Sequence, residues 1–209
     1  MTPAPRGPTG AAPAPPKDLA ARTLPIEVFP AGAPIYRVHT STQGAVFFGP
    51  GAGRPPTYRF DPASGRFGVL YAAPGPDAAL IETVLRNPGR LTIDWREIAP
   101  RNLTTLIAGR PLRLVAALGP NLSRLGITAA LSTGPYGPCA EWSDALFDHP
   151  DAPDGILFAS RHNPDEPCMA LFERADLDLT VIKTKPLPSL LSEVGKLLDR
   201  HGKSLFGAP

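Results

Sequence analysis

The sequence is short of several things that would announce a function. It has only 2 cysteines in 209 residues, Cys139 and Cys168. They form no CxxC pair, and they share no zinc-finger spacing with His39, His149, His162 or His201. No metal site is therefore expected. A single disulfide is the most these two thiols can form. The N-terminus has no secretory h-region, so reduced thiols in a cytoplasmic protein are the expectation. Charge is scarce too: the net charge is +2, and no Lys/Arg run stands out. A nucleic-acid-binding face needs a concentrated basic patch, so direct nucleic-acid binding is not expected. No apolar run approaches membrane-spanning length, so no membrane partner is expected either.

Proline, by contrast, is abundant, with 28 residues, and much of it falls in the first 35 positions. Met1 to Arg22 is rich in Pro, Ala and Gly and has no apolar periodicity. It reads as a flexible, partly polyproline-II tail covering residues 1–24, whose deletion should leave stability unchanged.

The stretch Tyr58 to Leu85 organises the rest. Thr57 to Phe60 is rich in β-formers, and Asp61 to Gly65 supplies turn chemistry. Phe67 to Ala72 is a short apolar run that suits a buried strand. After Pro74-Gly75-Pro76, Asp77 can cap a helix. Leu80, Ile81, Val84 and Leu85 lie on one face of that helix, and Glu82 falls beyond the edge of the apolar arc. Upstream, Ile35 to His39 reads as a core strand, with Arg37 facing opposite to Tyr36 and Val38. Ile26–Phe29, Leu91–Trp95, Leu112–Leu118, Gly155–Ala159, Met169–Phe172 and Val181–Ile182 read as further strands. Pro138–Phe147 reads as a helix, and Asn121–Leu125 as a short one closing at Gly126.

The glycines of Phe48 to Pro56 are not followed by GxxxxGK[ST], so they make no P-loop. There are no repeats, no Rossmann fingerprint and no βαβ alternation. The class expected is α+β, a single domain with mixed and antiparallel sheets over residues 25–182. Residues 183–209 read as a C-terminal helix and tail. Within them Pro188 to Gly202 is amphipathic, with Ser189 as cap and Leu190, Leu191, Val194, Leu197 and Leu198 on the face that packs on the core.

Five motifs, in order, go further. They are Ile35-Tyr36-Arg37-Val38; Tyr58-Arg59-Phe60-Asp61-Pro62; Gly65 to Ala73; Ala79-Leu80-Ile81-Glu82; and Trp142 to Leu146 followed by Asp154 to Arg161. Together they resemble the RES domain family, named for an Arg, a Glu and a Ser that match Arg37, Glu82 and Ser160 here. The resemblance covers about Pro34 to Arg174. It implies an ADP-ribosyltransferase-like fold and a bacterial toxin that degrades NAD+, with an Xre-type antitoxin as partner. NAD+ would be the substrate, and no cofactor is implied.

Those residue types suit that chemistry. Cleavage of the nicotinamide–ribose bond develops positive charge on the ribose, and the Glu82 carboxylate would stabilise it. Nicotinamide departs neutral, so no catalytic histidine is required. Arg37, Arg59 and Arg66 are candidate diphosphate ligands. Tyr71 can offer its ring or hydroxyl, and Ser160 can hydrogen-bond ribose or the nicotinamide amide. Three readings stay open at this level: an NAD+ glycohydrolase or phosphorylase, a mono-ADP-ribosyltransferase, and an inactive binding module on the same scaffold. Many transferases that modify side chains have a Glu or Gln two residues before the catalytic Glu. Leu80 stands there, which points to water or phosphate as acceptor.

Overall fold

The computed structural model describes residues 10–51 and 53–207. A five-stranded sheet forms its centre. The strands are β1 (Ile26–Phe29), β6 (Leu112–Ala117), β7 (Gly155–Ala159), β8 (Pro167–Phe172) and β3 (Val69–Ala72), side by side in that order. Only β6 and β7 run parallel; the other neighbours are antiparallel. The middle strands are short apolar runs buried on both faces, as a covered sheet requires. Gly155 permits the tight pairing of β7 with β8, because a Cβ there would lie 2.2 Å from the Ala170 carbonyl oxygen.

A second, antiparallel sheet has the order β2 (Ile35–Thr40), β5 (Arg101–Ala108), β9 (Leu179–Pro186). It meets the first where Tyr36 and Ala73 exchange backbone hydrogen bonds of 2.8 and 2.9 Å. Leu70, Leu157, Met169 and Leu171 of one sheet pack with Ile35 and Leu106 of the other. On the far face of the central sheet, α5 (Tyr136–Phe147) covers a core around Trp142, Phe60 and Phe172. Short helices α3 (Asn121–Leu125) and α4 (Ala130–Thr133) precede it, and Gly126 closes α3 with φ of 74°. A third cluster joins α1 (Pro76–Val84) to α6 (Leu191–Arg200) through Leu80, Ile81, Val84, Val194, Leu197 and Leu198. Beside it, β4 (Thr92–Asp94) pairs in parallel with β10 (Ser204–Phe206), and α2 (Trp95–Ile98) follows β4. Among the described residues no helix is long and apolar enough to cross a membrane.

The expected α+β class stands, and five local expectations change. Thr57 to Phe60 is not a strand, so there is no hairpin. The Asp61 carboxylate accepts from the backbone N–H groups of Thr57 (2.9 Å) and Tyr58 (2.6 Å) and folds the segment back on itself. Neither Asp77 nor Ser189 caps a helix. Asp77 pairs with Arg200, and the Ser189 hydroxyl donates to the Pro186 carbonyl at 2.7 Å. The boundary at 182/183 falls inside β9, so the C-terminal helix belongs to the same packed body. Strand β5 was not expected. Asn102, Thr104 and Thr105 break its apolar run, although Thr104, Leu106 and Ala108 alternate into the interior.

The largest correction concerns the Pro-rich tail. Met1 to Thr9 lie outside the described residues. From Ala12 the chain docks on the domain, with Ala12, Leu19 and Leu24 buried in the α5-side core. Trp142 Nε1 donates to the Pro13 carbonyl at 2.8 Å. The His149 Nδ1 accepts from the Asp151 N–H, so Nε2 carries the hydrogen and donates to Leu19 (3.1 Å) and Arg22 (3.2 Å) carbonyls. The segment has no periodicity of its own. A few apolar anchors, and carbonyls held by distant side chains, fix it instead. Leu19→Ala should therefore lower the unfolding free energy by roughly 2–3 kcal/mol, read from denaturant midpoints. A change below about 0.5 kcal/mol, the scale of an ordinary surface substitution, would return the segment to a loose tail.

Candidate active site

Helix α1 turns its apolar face to α6 and its Glu82–Thr83 side to a cavity of about 410 Å³, lined also from β2, β3 and the α4–α5 turn. That volume suits a small organic ligand. Ser160 follows the end of β7 and is buried at 1% exposure. Its hydroxyl donates to Glu82 Oε1 at 2.6 Å, and the Arg161 N–H reaches the same oxygen at 3.1 Å. The Ser160 oxygen in turn accepts from the His162 (3.1 Å) and Asn163 (3.2 Å) N–H groups. One carboxylate oxygen is thus fixed from behind. Ser160 is not among the residues lining the cavity, and its hydroxyl, expected to meet a ligand, is turned to Glu82.

The buried side of β2 is the side of Ile35, Arg37 and His39. Arg37 lines the cavity at 9% exposure and donates from Nη1 to the Tyr71 carbonyl at 3.2 Å. Its Nε is buried and has no hydrogen-bond partner among the described residues. Burial pulls its pKa down to about 10, so it stays charged at neutral pH. Tyr71 also lines the cavity, but its hydroxyl is taken: it donates to Asp61 Oδ1 (3.0 Å) and accepts from the Phe60 N–H (2.8 Å). Burial and then the Asp61 charge push the phenol well above its ordinary pKa.

The two remaining candidates separate. Arg59 lines the cavity, yet Nη1 is bound by the Gly134 (2.7 Å) and Leu131 (3.2 Å) carbonyls, so it pins the α4–α5 turn. Arg66 is not at the cavity. It is half exposed, pairs with Asp148 at 2.6 Å and lies 3.7 Å from Asp144, tying the 62–66 turn to α5. Without the hairpin, nothing brings Arg66 to the mouth that Arg59 faces.

Several lining residues had no sequence assignment. Arg86 and Arg101 flank α1 and begin β5, and Arg161 and His162 follow Ser160. Burial lowers the pKa of Arg101 and of His162. His39 Nδ1 faces the Thr40 and Gln43 carbonyls, each at 2.9 Å, so Nδ1 carries a hydrogen. Its Nε2 meets Thr104 Oγ1 at 2.9 Å, and that oxygen meets Thr184 Oγ1 at 2.8 Å. The alternation of β2 was the available signal for His39, since it shares a face with Arg37.

The lining is electrically lopsided. Five arginines (Arg37, Arg59, Arg86, Arg101 and Arg161) surround one carboxylate, Glu82. None of the five is ion-paired among the described residues; exposed Arg54, Arg113 and Arg124 are unpaired too, but singly, whereas these five share one cavity. Grouped cations without counter-charges repel one another, and an anionic ligand relieves that repulsion. Among the described residues no group of three or more His, Cys, Asp or Glu side chains suits a metal ion.

Comparison with known proteins is consistent across sequence and fold. The RES domain family matches residues 34–190. A Sinorhizobium fredii protein described as probable toxin y4kH is 31% identical over 119 residues, spanning 56% of this chain and 93% of that protein. A chain from the crystal structure of the M. tuberculosis MbcT–MbcA toxin–antitoxin complex has the same fold, with a TM-score of 0.56. It is 15% identical, and the match covers 80% of this chain and 91% of that one.

Asp61 gives a pH test of the local geometry. It is fully buried, and burial raises its carboxyl above the ordinary 3.8 despite the three hydrogen bonds it accepts. The native state therefore keeps this proton where the unfolded chain has lost it. Its contribution is complete below 3.8 and is lost as pH rises through the folded value. The stability of wild type relative to Asp61→Asn should fall across that window, measured by urea midpoints at a series of pH values. A difference that rises with pH would mean the hydrogen bonds outweigh burial.

Proposed function

The chain belongs to the RES domain family, and on that footing we propose that it degrades NAD+ by cleaving the nicotinamide–ribose bond. The observation that carries this reading is the cavity's charge pattern: one fixed carboxylate among five arginines without ion-pair partners. NAD+ presents the complement, a diphosphate for the guanidinium groups and a ribose that becomes cationic as its bond breaks. Arg37 is the best placed diphosphate ligand, because it lines the cavity, keeps its charge there and has no ion-pair partner among the described residues.

In the reaction the C1′–N bond breaks and nicotinamide leaves neutral with the electron pair. Glu82 faces the ribosyl cation and stabilises it more than it stabilises the ground state. Because Ser160 and the Arg161 N–H already hold the carboxylate, little reorganisation is needed as charge develops. Water then forms the new C1′–O bond and loses a proton to solvent, or an oxygen of hydrogenphosphate forms it and the resulting phosphate monoester gives up its proton.

A small acceptor fits better than a protein side chain. Leu80, two residues before Glu82, is 3% exposed and packed against α6, so it offers no polar group to orient an acceptor. The wider proposal is a toxin with a cognate antitoxin of Xre type. It is supported by the probable-toxin relative and by the toxin–antitoxin complex that shares the fold.

Glu82→Gln should keep the wild-type circular dichroism and lose at least ~10²-fold in nicotinamide release from NAD+, the scale of removing one electrostatic stabiliser. Near-normal turnover by the folded variant would remove Glu82 from this role. Label from adenine-labelled NAD+ should appear in free ADP-ribose or its phosphate. Stoichiometric label on one protein band, lost in the variant, would replace this reading with transfer to a protein.

A further inference from the structure

Resting on that reading, we infer that Phe47 is the adenine platform of the site, standing at the end of the cavity away from Glu82. Phe47 lines the cavity yet is 42% exposed. Its ring lies against Gly49, where an added Cβ would sit 2.7 Å from the Phe47 Cε1 atom. The contact is at the Cε1 edge of the ring, with Cδ1 and Cζ farther off at 3.5 and 3.6 Å, so the chain holds the ring by its edge and does not cover a face at that point. An exposed aromatic held in that way suits base stacking, which accepts any π face and needs no induced packing.

The other exposed aromatics of the cavity, Tyr58 and Tyr136, are already engaged. The Arg86 guanidinium sits 5.5 Å from the Tyr58 ring centre, and Tyr71 meets it edge-on at 5.6 Å. Arg59 lies 4.7 Å over the Tyr136 ring. Phe47 has no such cation over it among the described residues.

The strand ladder sets the order of parts along the cavity. Gly49 exchanges backbone hydrogen bonds of 3.3 and 2.8 Å with Val69, the first residue of β3, which pairs with Phe172 of β8. Glu82 is tied to Ser160, whose N–H bonds the Glu166 carbonyl at 2.9 Å, just beyond the other end of β8. From Phe172 to Glu166 is about 20 Å of extended backbone. Between these ends, Arg37 is bonded to the Tyr71 carbonyl. The order Phe47, Arg37, Glu82 thus matches base, diphosphate and reacting ribose, and the strand length between the anchoring points leaves room for a dinucleotide. On the same loop Gln43 lines the cavity, and its side-chain amide makes no hydrogen bond among the described residues, so it is free to turn to a base edge.

The test compares NAD+ with nicotinamide mononucleotide, which has the same scissile bond and no adenylate half. The ratio of kcat/KM values, NAD+ over mononucleotide, should fall about 10-fold or more in Phe47→Ala and recover in Phe47→Trp. An unchanged ratio would overturn the platform. Calorimetric binding of ADP-ribose runs beside it and needs no turnover. It should weaken about 10-fold in Phe47→Ala, and equal binding by the two proteins would also overturn the inference. If neither compound releases nicotinamide while ADP-ribose binding still depends on Phe47, the reaction is wrong and the platform stands.

Discussion

The hydrogen bond from Ser160 to Glu82 is the constraint on which the site depends. It joins residues 78 positions apart and fixes a carboxylate that would otherwise rotate freely on a helix surface. Everything that delivers the two groups is ordinary packing. Leu80, Ile81 and Val84 seat α1 against α6, and Gly155 lets β7 lie close to β8, so Ser160 emerges level with Glu82. The N–H groups of His162 and Asn163 then turn toward the serine oxygen and leave its hydrogen for the carboxylate.

Around this bond the protein groups cations without counter-charges, and buries one of them. On the exposed surface, arginines such as Arg66 and Arg96 have carboxylate partners within 3.0 Å. In the cavity Arg37 is buried with a vacant Nε, and Arg101 is partly desolvated beside Arg86. A buried donor left without a partner destabilises the fold, and such groups persist where function needs them. The cluster is therefore read as preorganised for an anion. The buried Asp61 has a comparable role one shell out: it shapes the 57–61 loop that places Tyr58 and Arg59 at the cavity.

Hydrophobic periodicity in the sequence was a good guide; turn and cap chemistry, and everything long-range, were not. The alternation of Ile35 to Thr40 and the apolar arc of α1 put Arg37 and Glu82 where they stand, because each depends on neighbours a few residues away. The α+β class followed from the same patterns. The partnership of Ser160 with Glu82 was not legible, since only the sheet order brings them together. Arg86, Arg101 and Arg161 come from three separate elements, so nothing in their spacing announces one cavity. Arg66 was misplaced because the assumed hairpin does not form. The Pro-rich segment misled in the opposite direction, because its anchors, Trp142 and His149, lie more than a hundred residues downstream.

With its hydroxyl committed to the carboxylate, Ser160 should act through Glu82 and not on the ligand. Steady-state nicotinamide release from NAD+ by Ser160→Ala, in protein with wild-type circular dichroism, tests it most directly. Loosening the carboxylate should lower kcat by about 10-fold or more and leave KM within about twofold, because what is lost is orientation toward the transition state. A variant with unchanged kcat and a raised KM would make Ser160 a substrate ligand and contradict the account.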